Sequence, residues 1–147
     1  MIKKGIILAG GTGSRMSPLT KAVNKQLLPI YDKPLIYYPL SVLMLSGIRD
    51  VLVIVNKGQI NQFKKILPSE NNLGIKISYA EQKYPKGLPD AFQIGKNFIG
   101  KNGVVMILGD NFFYGQSLTK ILKGCLKFNN GATIILHPVK NPSLYGV

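Results

Sequence analysis

Short apolar segments rich in β-branched residues recur along the chain and alternate with segments whose apolar residues have helical spacing. The pattern predicts strands at residues 4–9, 51–55, 75–80, 104–108 and 132–136. Helices are predicted between them, at residues 40–45, 59–67, 89–98 and 117–128. Continuous apolar strands that alternate with helices indicate a parallel sheet covered on both faces. The expected fold class is therefore α/β, a Rossmann-like three-layer sandwich with a mainly parallel sheet.

The organisation is that of a single domain, residues 1–147, without internal repeats, low-complexity segments or a linker. One segment, residues 10–39, departs from the alternation because it is long and loop-rich. Loops of that length inside a compact domain usually carry function. The segment is therefore the first place in which to search for functional residues.

The chain is strongly basic, with a formal net charge of +13. Such a charge indicates either binding to nucleic acid or a small polyanionic substrate. The lysines are scattered singly or in pairs, without a long basic run or an aromatic RNA-binding motif. This scatter favours the small polyanion, and no nucleic-acid partner is expected.

Other features of the composition exclude several classes of protein. No segment approaches the run of about 18 apolar residues that spans a bilayer, so no membrane partner is expected. The first apolar stretch meets Gly10 and Gly11 too early for a signal sequence, which makes a cytoplasmic location the expectation. Cys125 is the only cysteine and is expected to be a buried residue without a chemical role. The single histidine, His137, ends a strand-like segment, and no catalytic role is expected for it.

The first predicted strand runs into a glycine-rich loop, Leu8-Ala9-Gly10-Gly11-Thr12-Gly13-Ser14-Arg15. The carboxyl end of a strand is where open α/β sheets bind ligands. Glycine N–H groups can approach phosphate oxygens because no Cβ intervenes, and Arg15 adds a planar cation. The loop lacks the Lys-Ser/Thr of the Walker pattern, and Met16 stands where the dinucleotide pattern has glycine. The loop predicts phosphate binding, with a tight turn that merely needs glycine as the alternative.

A magnesium–triphosphate site also needs a carboxylate near the phosphates. Of the six acidic residues, Glu81 and Asp110 are the two that follow predicted strands at their carboxyl ends. Asp110 comes directly after a continuous apolar run, within Gly109-Asp110-Asn111. It is the predicted Mg²⁺ ligand, and a turn-forming Asp-Asn pair is the alternative.

The glycine loop is similar to the signature L-A-G-G-x-G-[ST]-R of the sugar-phosphate nucleotidyltransferases. A second block, Lys25-Gln26-Leu27-Leu28-Pro29 through Tyr37-Tyr38-Pro39-Leu40-Ser41, resembles the thymidylyltransferase branch in particular. The likeness extends in register over residues 4–147. It implies a nucleotidyltransferase fold, here truncated, with dTTP and glucose-1-phosphate as partners and Mg²⁺ as the cofactor. The implied reaction transfers dTMP to the sugar phosphate and releases dTDP-glucose and pyrophosphate.

The resemblance also implies roles for individual residues. Arg15 matches the arginine that holds the leaving pyrophosphate, and Lys25 matches the lysine that contacts the phosphates. Without the motif, a solvated surface charge is as good an interpretation of Lys25 as a contact with phosphate. The Gly-Asp-Asn metal motif falls on Asp110. The implied nucleotide-binding positions are Leu8, Gly10, Gly11, Thr12, Gly13, Ser14, Gln82, Pro85 and Gly87. The implied sugar-binding positions are Leu108, Asn111, Tyr145 and Gly146.

Recognition of the base is expected to rest on Gln82 and Gly87. A glutamine amide can pair with N3–H and a carbonyl of thymine, but after a flip it serves cytosine. The backbone N–H of Gly87 cannot flip and favours a carbonyl, hence thymine or uracil. The preference for dTTP itself rests on the resemblance. A uridylyltransferase or cytidylyltransferase relative is therefore an alternative, and a non-catalytic nucleotide-binding module is another.

The sequence departs from the family in length. Family members continue into a Glu-Lys-Pro segment, whose lysine binds the sugar phosphate, and into a second metal-binding aspartate. Here Lys140 precedes Asn141-Pro142, and no acidic residue follows Asp110. We expect these residues to bind nucleotide with little or no turnover unless another chain supplies the remainder. An exposed sheet edge that promotes association is also expected, as is a homo-oligomer in the intact family member.

Overall fold

The computed structural model describes residues 2–70, 72–84, 86–127 and 130–144. Its sheet contains β1 (Lys4–Ala9), β4 (Asp50–Asn56), β5 (Lys76–Gln82) and β6 (Val104–Leu108). These strands are parallel and lie in the order β5-β4-β1-β6. A separate antiparallel hairpin joins β2 (Pro29–Ile30) to β3 (Lys33–Pro34). The expected α/β class with a parallel sheet is confirmed.

Helices cover the sheet on both faces. They are α1 (Tyr37–Leu45), α2 (Ile60–Ile66), α3 (Asp90–Ile94), α4 (Lys96–Ile99) and α5 (Leu118–Cys125). Successive residues of a strand point to opposite faces. In β4, Val51 and Val53 belong to the larger apolar core with α1, α2 and α5, whereas Leu52 and Ile54 belong to a smaller core with α3 and α4. Burial on both faces is the reason that β4 is apolar without interruption from Val51 to Val55.

The helix predicted at residues 89–98 is divided into two short helices. The division falls at Gly95, which ends α3 immediately before α4 begins. A Cβ at this position would lie 2.9 Å from Ile6 Cδ1 and 3.1 Å from the carbonyl oxygen of Ala91. The segment therefore lies too close to the sheet at this position for a residue larger than glycine. Because glycine weakens a helix, the helix is divided there.

The strand predicted at residues 132–136 is wrong, because the structure assigns no strand there. Ile134 is 79% exposed and Leu136 82% exposed, and His137 in the same segment is also exposed. An apolar, β-branched segment favours a strand, but it forms one only where another strand pairs with it. In the part of the chain that the structure describes, no strand pairs with this segment. Association through this exposed surface stays a prediction.

The segment at residues 10–39 has local structure of its own. Three short 3₁₀ turns, at Ser14–Met16, Leu19–Lys21 and Lys25–Leu27, precede the β2–β3 hairpin. Among the described residues, no helix is both long and apolar enough to cross a membrane. Because the four strands are parallel, their carboxyl ends lie on one edge of the sheet, and the segment begins there.

Candidate functional site

The carboxyl ends of four strands bring distant parts of the chain together. Leu8 in β1 pairs with Leu108 in β6, and Asn56 in β4 pairs with Gln82 in β5. The glycine loop follows β1, and Asp110 follows β6 by two residues. Polar side chains and bare backbone therefore meet at this edge.

A cavity of about 220 Å³ opens at this edge, and we call it the main cavity. Its lining combines glycine backbone, two buried glutamines, apolar side chains and one carboxylate. The lining residues are Leu8, Gly10, Gly11, Gln26, Gln82, Gly87, Leu88, Leu108 and Asp110. Gly11 and Asp110, which are far apart in sequence, thus face the same space.

Gly10 is glycine because the amide of Gln82 lies directly over it. A Cβ on Gly10 would come within 1.6 Å of Gln82 Nε2 and 2.5 Å of Gln82 Cδ, so the amide group would have to move. Gln82 is only 5% exposed, and its Nε2 donates a 3.0 Å hydrogen bond to Asn56 Oδ1. The missing side chain therefore lets Gln82 reach the cavity wall beside the loop.

The next part of the glycine loop forms a second cavity of about 210 Å³, which we call the loop cavity. It is lined by Gly13, Ser14, Arg15, Met16 and Lys25. Gly13 has a φ of +60°, a conformation that glycine adopts without a steric penalty. Its carbonyl oxygen accepts a 2.8 Å hydrogen bond from Thr20 Oγ1. This turn places two cationic side chains, Arg15 and Lys25, around one opening.

A buried asparagine holds the turn that carries Lys25. Asn24 Oδ1 accepts a hydrogen bond from the backbone N–H of Gln26 at 2.9 Å, which caps the turn at its start. Asn24 Nδ2 donates to the carbonyl oxygen of Ala9 at 3.2 Å and to Gln59 Oε1 at 2.6 Å. These bonds tie the turn to the end of β1. The backbone on either side of Lys25 is thus positioned by buried polar groups.

Lys25 and Asp110 connect the two cavities. Lys25 Nζ lies 2.8 Å from Asp110 Oδ2, and both side chains are about one-third exposed. Lys25 lines the loop cavity, whereas Asp110 lines the main cavity. The charge of the carboxylate is therefore balanced by a lysine that also faces the glycine loop.

Asp110 can contribute one oxygen ligand to a divalent metal ion. Within the described ranges, no group of three or more His, Cys, Asp or Glu side chains is close enough to hold a metal without other ligands. Mg²⁺ is usually held by one or two carboxylates together with substrate phosphates and water. A single carboxylate beside a loop that suits phosphate fits that kind of site, and it does not fit a zinc site made only of protein ligands.

The structure brings most of the predicted site residues to these two cavities. Thr12 is exposed and lines neither cavity, and Asn111 is half-buried in the turn after β6, also without lining either one. Pro85, Tyr145 and Gly146 lie outside the described residues. The seven predicted residues in the main cavity are Leu8, Gly10, Gly11, Gln82, Gly87, Leu108 and Asp110. The four in the loop cavity are Gly13, Ser14, Arg15 and Lys25.

Sequence reasoning did not assign a role to Asn56 or to Gln26. Gln26 lines the main cavity, and its Nε2 lies 3.5 Å from the carbonyl oxygen of Gly10. Asn56 forms hydrogen bonds to both backbone polar groups of Gly11. The available signal for Asn56 was its place as a polar residue at the carboxyl end of an apolar strand.

Comparison with known proteins identifies the class of protein to which this fold and site belong. The family model described as Nucleotidyl transferase matches residues 4–147, and the chain belongs to that family. Its relatives include a protein from Neisseria meningitidis named glucose-1-phosphate thymidylyltransferase. The two are 56% identical over 144 residues, which is 98% of this chain and 50% of the relative. A protein of the same name from Xanthomonas campestris is 49% identical over 99% of this chain and 49% of its own length.

Solved structures show the same relationship. A crystal structure from Bacillus anthracis, described as a glucose-1-phosphate thymidylyltransferase in complex with sucrose, matches with a TM-score of 0.74 and 37% identity. That match covers 80% of this chain and 48% of the other. A UDP-glucose pyrophosphorylase complexed with UDP-glucose matches with a TM-score of 0.67 and 30% identity, over 86% and 54% of the two chains. The chain thus spans about half the length of the relatives it matches.

Proposed function

We propose that this chain forms the nucleotide-binding part of a glucose-1-phosphate thymidylyltransferase, which transfers dTMP from dTTP to glucose-1-phosphate. The observation that carries the proposal is the connection of the main cavity to the loop cavity through Lys25 and Asp110. One cavity offers buried amide groups that suit a base. The other offers glycine backbone and two cations that suit a triphosphate. The names of the relatives agree with this assignment.

In the proposed complex, the base lies in the main cavity against Gln82 and Gly87. The triphosphate lies along the glycine loop. The N–H of Gly11 already donates to Asn56 Oδ1, so Gly13 and Ser14 are the residues whose backbone N–H groups face the phosphates. Arg15 contacts the terminal phosphates from the loop cavity. The sugar phosphate approaches from the side of Leu108 and Asn111. This arrangement places the α-phosphate near Lys25, between the two cavities.

The proposed reaction is an in-line displacement at the α-phosphate. A phosphate oxygen of glucose-1-phosphate forms a bond to the α-phosphorus as the bond to the bridging α–β oxygen breaks, and pyrophosphate leaves. The protein contributes positioning of the two substrates and stabilisation of charge. Arg15 neutralises charge on the departing pyrophosphate, and Lys25 neutralises charge on the phosphate under attack.

Asp110 is the proposed protein ligand for Mg²⁺. When bound, the ion neutralises triphosphate charge and takes its other ligands from phosphate oxygens and water. Because Asp110 also pairs with Lys25, the lysine is held near the phosphates and does not extend into solvent. We also propose a cytoplasmic location and homo-oligomeric assembly for the protein.

Nucleotide binding by this chain is tested by titration calorimetry with dTTP, in Mg²⁺ and in excess chelator. We expect binding that Mg²⁺ strengthens in the wild type, and Asp110→Asn to remove most of the effect of Mg²⁺. Asp32→Asn is the matched control because Asp32 forms the other ion pair of the described residues, with Lys33, and lines neither cavity. Absence of dTTP binding at millimolar concentration would disprove the assignment of this site.

Turnover is a separate measurement because the relatives that bear the enzyme name are about twice as long. Release of pyrophosphate from dTTP and glucose-1-phosphate is followed with a coupled assay. We expect little or no release by these 147 residues, and release when a complementary C-terminal fragment is added. Binding of dTTP without release, even with that fragment, would favour the non-catalytic nucleotide-binding module instead.

A uridylyltransferase is the second candidate, and the match to UDP-glucose pyrophosphorylase supports it. The buried amides of the main cavity suit uracil as well as thymine, because the two bases share one hydrogen-bonding edge. The lower identity of that match, 30% against 56%, makes it the weaker candidate. Competition between dTTP and UTP for the wild-type site distinguishes the two.

A further inference from the structure

Asn56 is held in one orientation by the backbone of the glycine loop. Its Oδ1 accepts a hydrogen bond from the N–H of Gly11 at 3.1 Å, and its Nδ2 donates to the carbonyl oxygen of Gly11 at 2.9 Å. A side-chain amide can often exchange its oxygen and nitrogen by a flip. Here a flip would place Nδ2 against the N–H of Gly11, donor against donor, and Oδ1 against the carbonyl oxygen of Gly11, acceptor against acceptor. The backbone N–H and C=O cannot exchange roles to relieve this mismatch. Gly11 therefore determines which end of Asn56 is the acceptor.

The orientation of Asn56 in turn determines that of Gln82. Asn56 Oδ1 is an acceptor, and the Gln82 atom 3.0 Å from it is Nε2, a donor. If Gln82 flipped, its Oε1 would face another oxygen at that distance. Gln82 is almost fully buried, so water does not replace the lost bond easily. Among the described residues, no hydrogen bond uses Gln82 Oε1.

We propose that Asn56 is the positioning residue that sets the base preference of this site by holding the Gln82 amide in one orientation. This inference rests on the proposed function, since it assumes that a pyrimidine nucleotide occupies the main cavity. Held in this way, Gln82 presents Oε1 as an acceptor and its second Nε2 hydrogen as a donor. Gly87 lines the same cavity, and in the proposed complex its backbone N–H is the other donor.

The resulting donor–acceptor–donor pattern selects between pyrimidines. Thymine and uracil present carbonyl, N3–H and carbonyl, which is the complementary order. Cytosine presents a carbonyl, an unprotonated N3 and an amino group, so two of its three positions meet a group of the same kind. A freely flipping Gln82 would correct part of this mismatch. Asn56 prevents the flip, and so it excludes cytosine without touching the base.

Two substitutions of Asn56 separate this role from support of the loop. Asn56→Ala removes both the acceptor for Gln82 and the bonds to Gly11. Asn56→Asp keeps an acceptor for Gln82 Nε2 and loses the donor to the Gly11 carbonyl. Dissociation constants for dTTP, UTP and CTP are measured by calorimetry with Mg²⁺ for both variants and the wild type.

The readout is the ratio of the CTP to the dTTP dissociation constant, because damage to the loop weakens all three nucleotides together. We expect Asn56→Ala to lower this ratio about tenfold or more, the order produced by one buried donor–acceptor mismatch. Asn56→Asp is expected to weaken every nucleotide while leaving the ratio within about threefold of the wild type. The UTP to dTTP ratio is the internal control, since Asn56 does not distinguish the C5-methyl group.

An unchanged CTP to dTTP ratio in Asn56→Ala, with all three nucleotides weaker, would show a merely structural role and overturn the inference. If the wild type binds none of the three nucleotides, the proposed function fails first. A measurement on the wild type covers the case in which Asn56→Ala does not fold. In the ligand-free protein, one side-chain amide proton of Gln82 should exchange slowly with solvent by NMR, and fast exchange of both protons would contradict the inference.

Discussion

Lys25 Nζ and Asp110 Oδ2 lie 2.8 Å apart although the two residues are 85 positions apart in the sequence. The contact joins a residue that lines the loop cavity to a residue that lines the main cavity. In the unliganded site, the positive charge of Lys25 neutralises the negative charge of Asp110. With Mg²⁺ and a triphosphate in the proposed site, Asp110 would hold the ion and the Lys25 ammonium group would be free to contact the phosphates.

Replacement of Lys25 by methionine tests this role. Lys25→Met keeps the length of the side chain and removes its charge, so we expect dTTP affinity to fall about tenfold, the order of one charge-assisted hydrogen bond. Titration calorimetry with Mg²⁺ measures the change. Lys33→Met is the control because Lys33 pairs with an exposed aspartate and faces Tyr38, outside both cavities. Equal affinities in the wild type and Lys25→Met would remove Lys25 from the site.

A methyl group at Gly10 should disable the main cavity. The Cβ of Gly10→Ala would overlap Gln82 Nε2 and force that amide away from Asn56. We expect dTTP affinity to fall more than tenfold, and the free energy of unfolding to fall by about 1–3 kcal/mol from overpacking. Gly124→Ala in α5 is the matched control, since a Cβ there meets no atom within 4 Å. Wild-type nucleotide binding by Gly10→Ala would show that Gln82 does not need its observed position.

Tyr79 makes stability depend on alkaline pH. Burial, followed by the neighbouring Tyr37, raises the pKa of Tyr79 from 10.0 to about 12. Its hydroxyl donates to the carbonyl oxygen of Leu67 at the end of α2. Because the folded state retains this proton when the unfolded chain has lost it, the stability that the group contributes is complete below pH 10. That contribution is lost as the pH rises through about 12.

The Tyr79→Phe variant isolates this effect from the titration of the many lysines. We expect it to be less stable than the wild type at pH 8 by about 1 kcal/mol, the usual value of one hydrogen bond. The difference in free energy of unfolding should shrink between pH 10 and pH 12, measured by urea denaturation monitored by circular dichroism. The exposed Tyr84 supplies the control, as Tyr84→Phe should follow the wild-type curve throughout. A constant difference between Tyr79→Phe and wild type at all pH values would contradict the assignment.

The regular elements were predictable to different degrees, and the reason is burial. β1 and β6 agree with the sequence pattern at both ends. β4, whose five central residues are all buried, contains the predicted apolar run and extends one polar residue beyond it at each end. The segment at residues 132–136 is also apolar and β-branched, but it forms no strand. Such a composition favours a strand, but it does not provide the neighbouring strand with which the segment would have to pair. The division of the predicted helix at Gly95 depends on the distance between that helix and Ile6, which local sequence does not record.

The residues of the candidate site also differ in how far the sequence predicted them. The glycine loop and Asp110 were predictable because the carboxyl ends of parallel strands always share one edge of a sheet. Asn56 and Gln26 act through hydrogen bonds to residues far away in the sequence, and two of the three bonds of Asn24 also reach such residues. An amide side chain with no local partner has no pattern that distinguishes it from a solvated one. Their positions therefore emerged only with the folded chain.

The amino-acid sequence by itself determined the kind of chemistry available to this protein. It supplied a loop with bare backbone, two cations that suit phosphate, one carboxylate after a strand and a glutamine that can serve either class of pyrimidine. Tertiary structure decided which way that glutamine faces, because Gln82 is held by Asn56 on a neighbouring strand, and Asn56 is held by Gly11. Hydrogen bonds are directional, so the choice between donor and acceptor depends on atoms that only folding brings to hydrogen-bonding distance, 2.9–3.1 Å here.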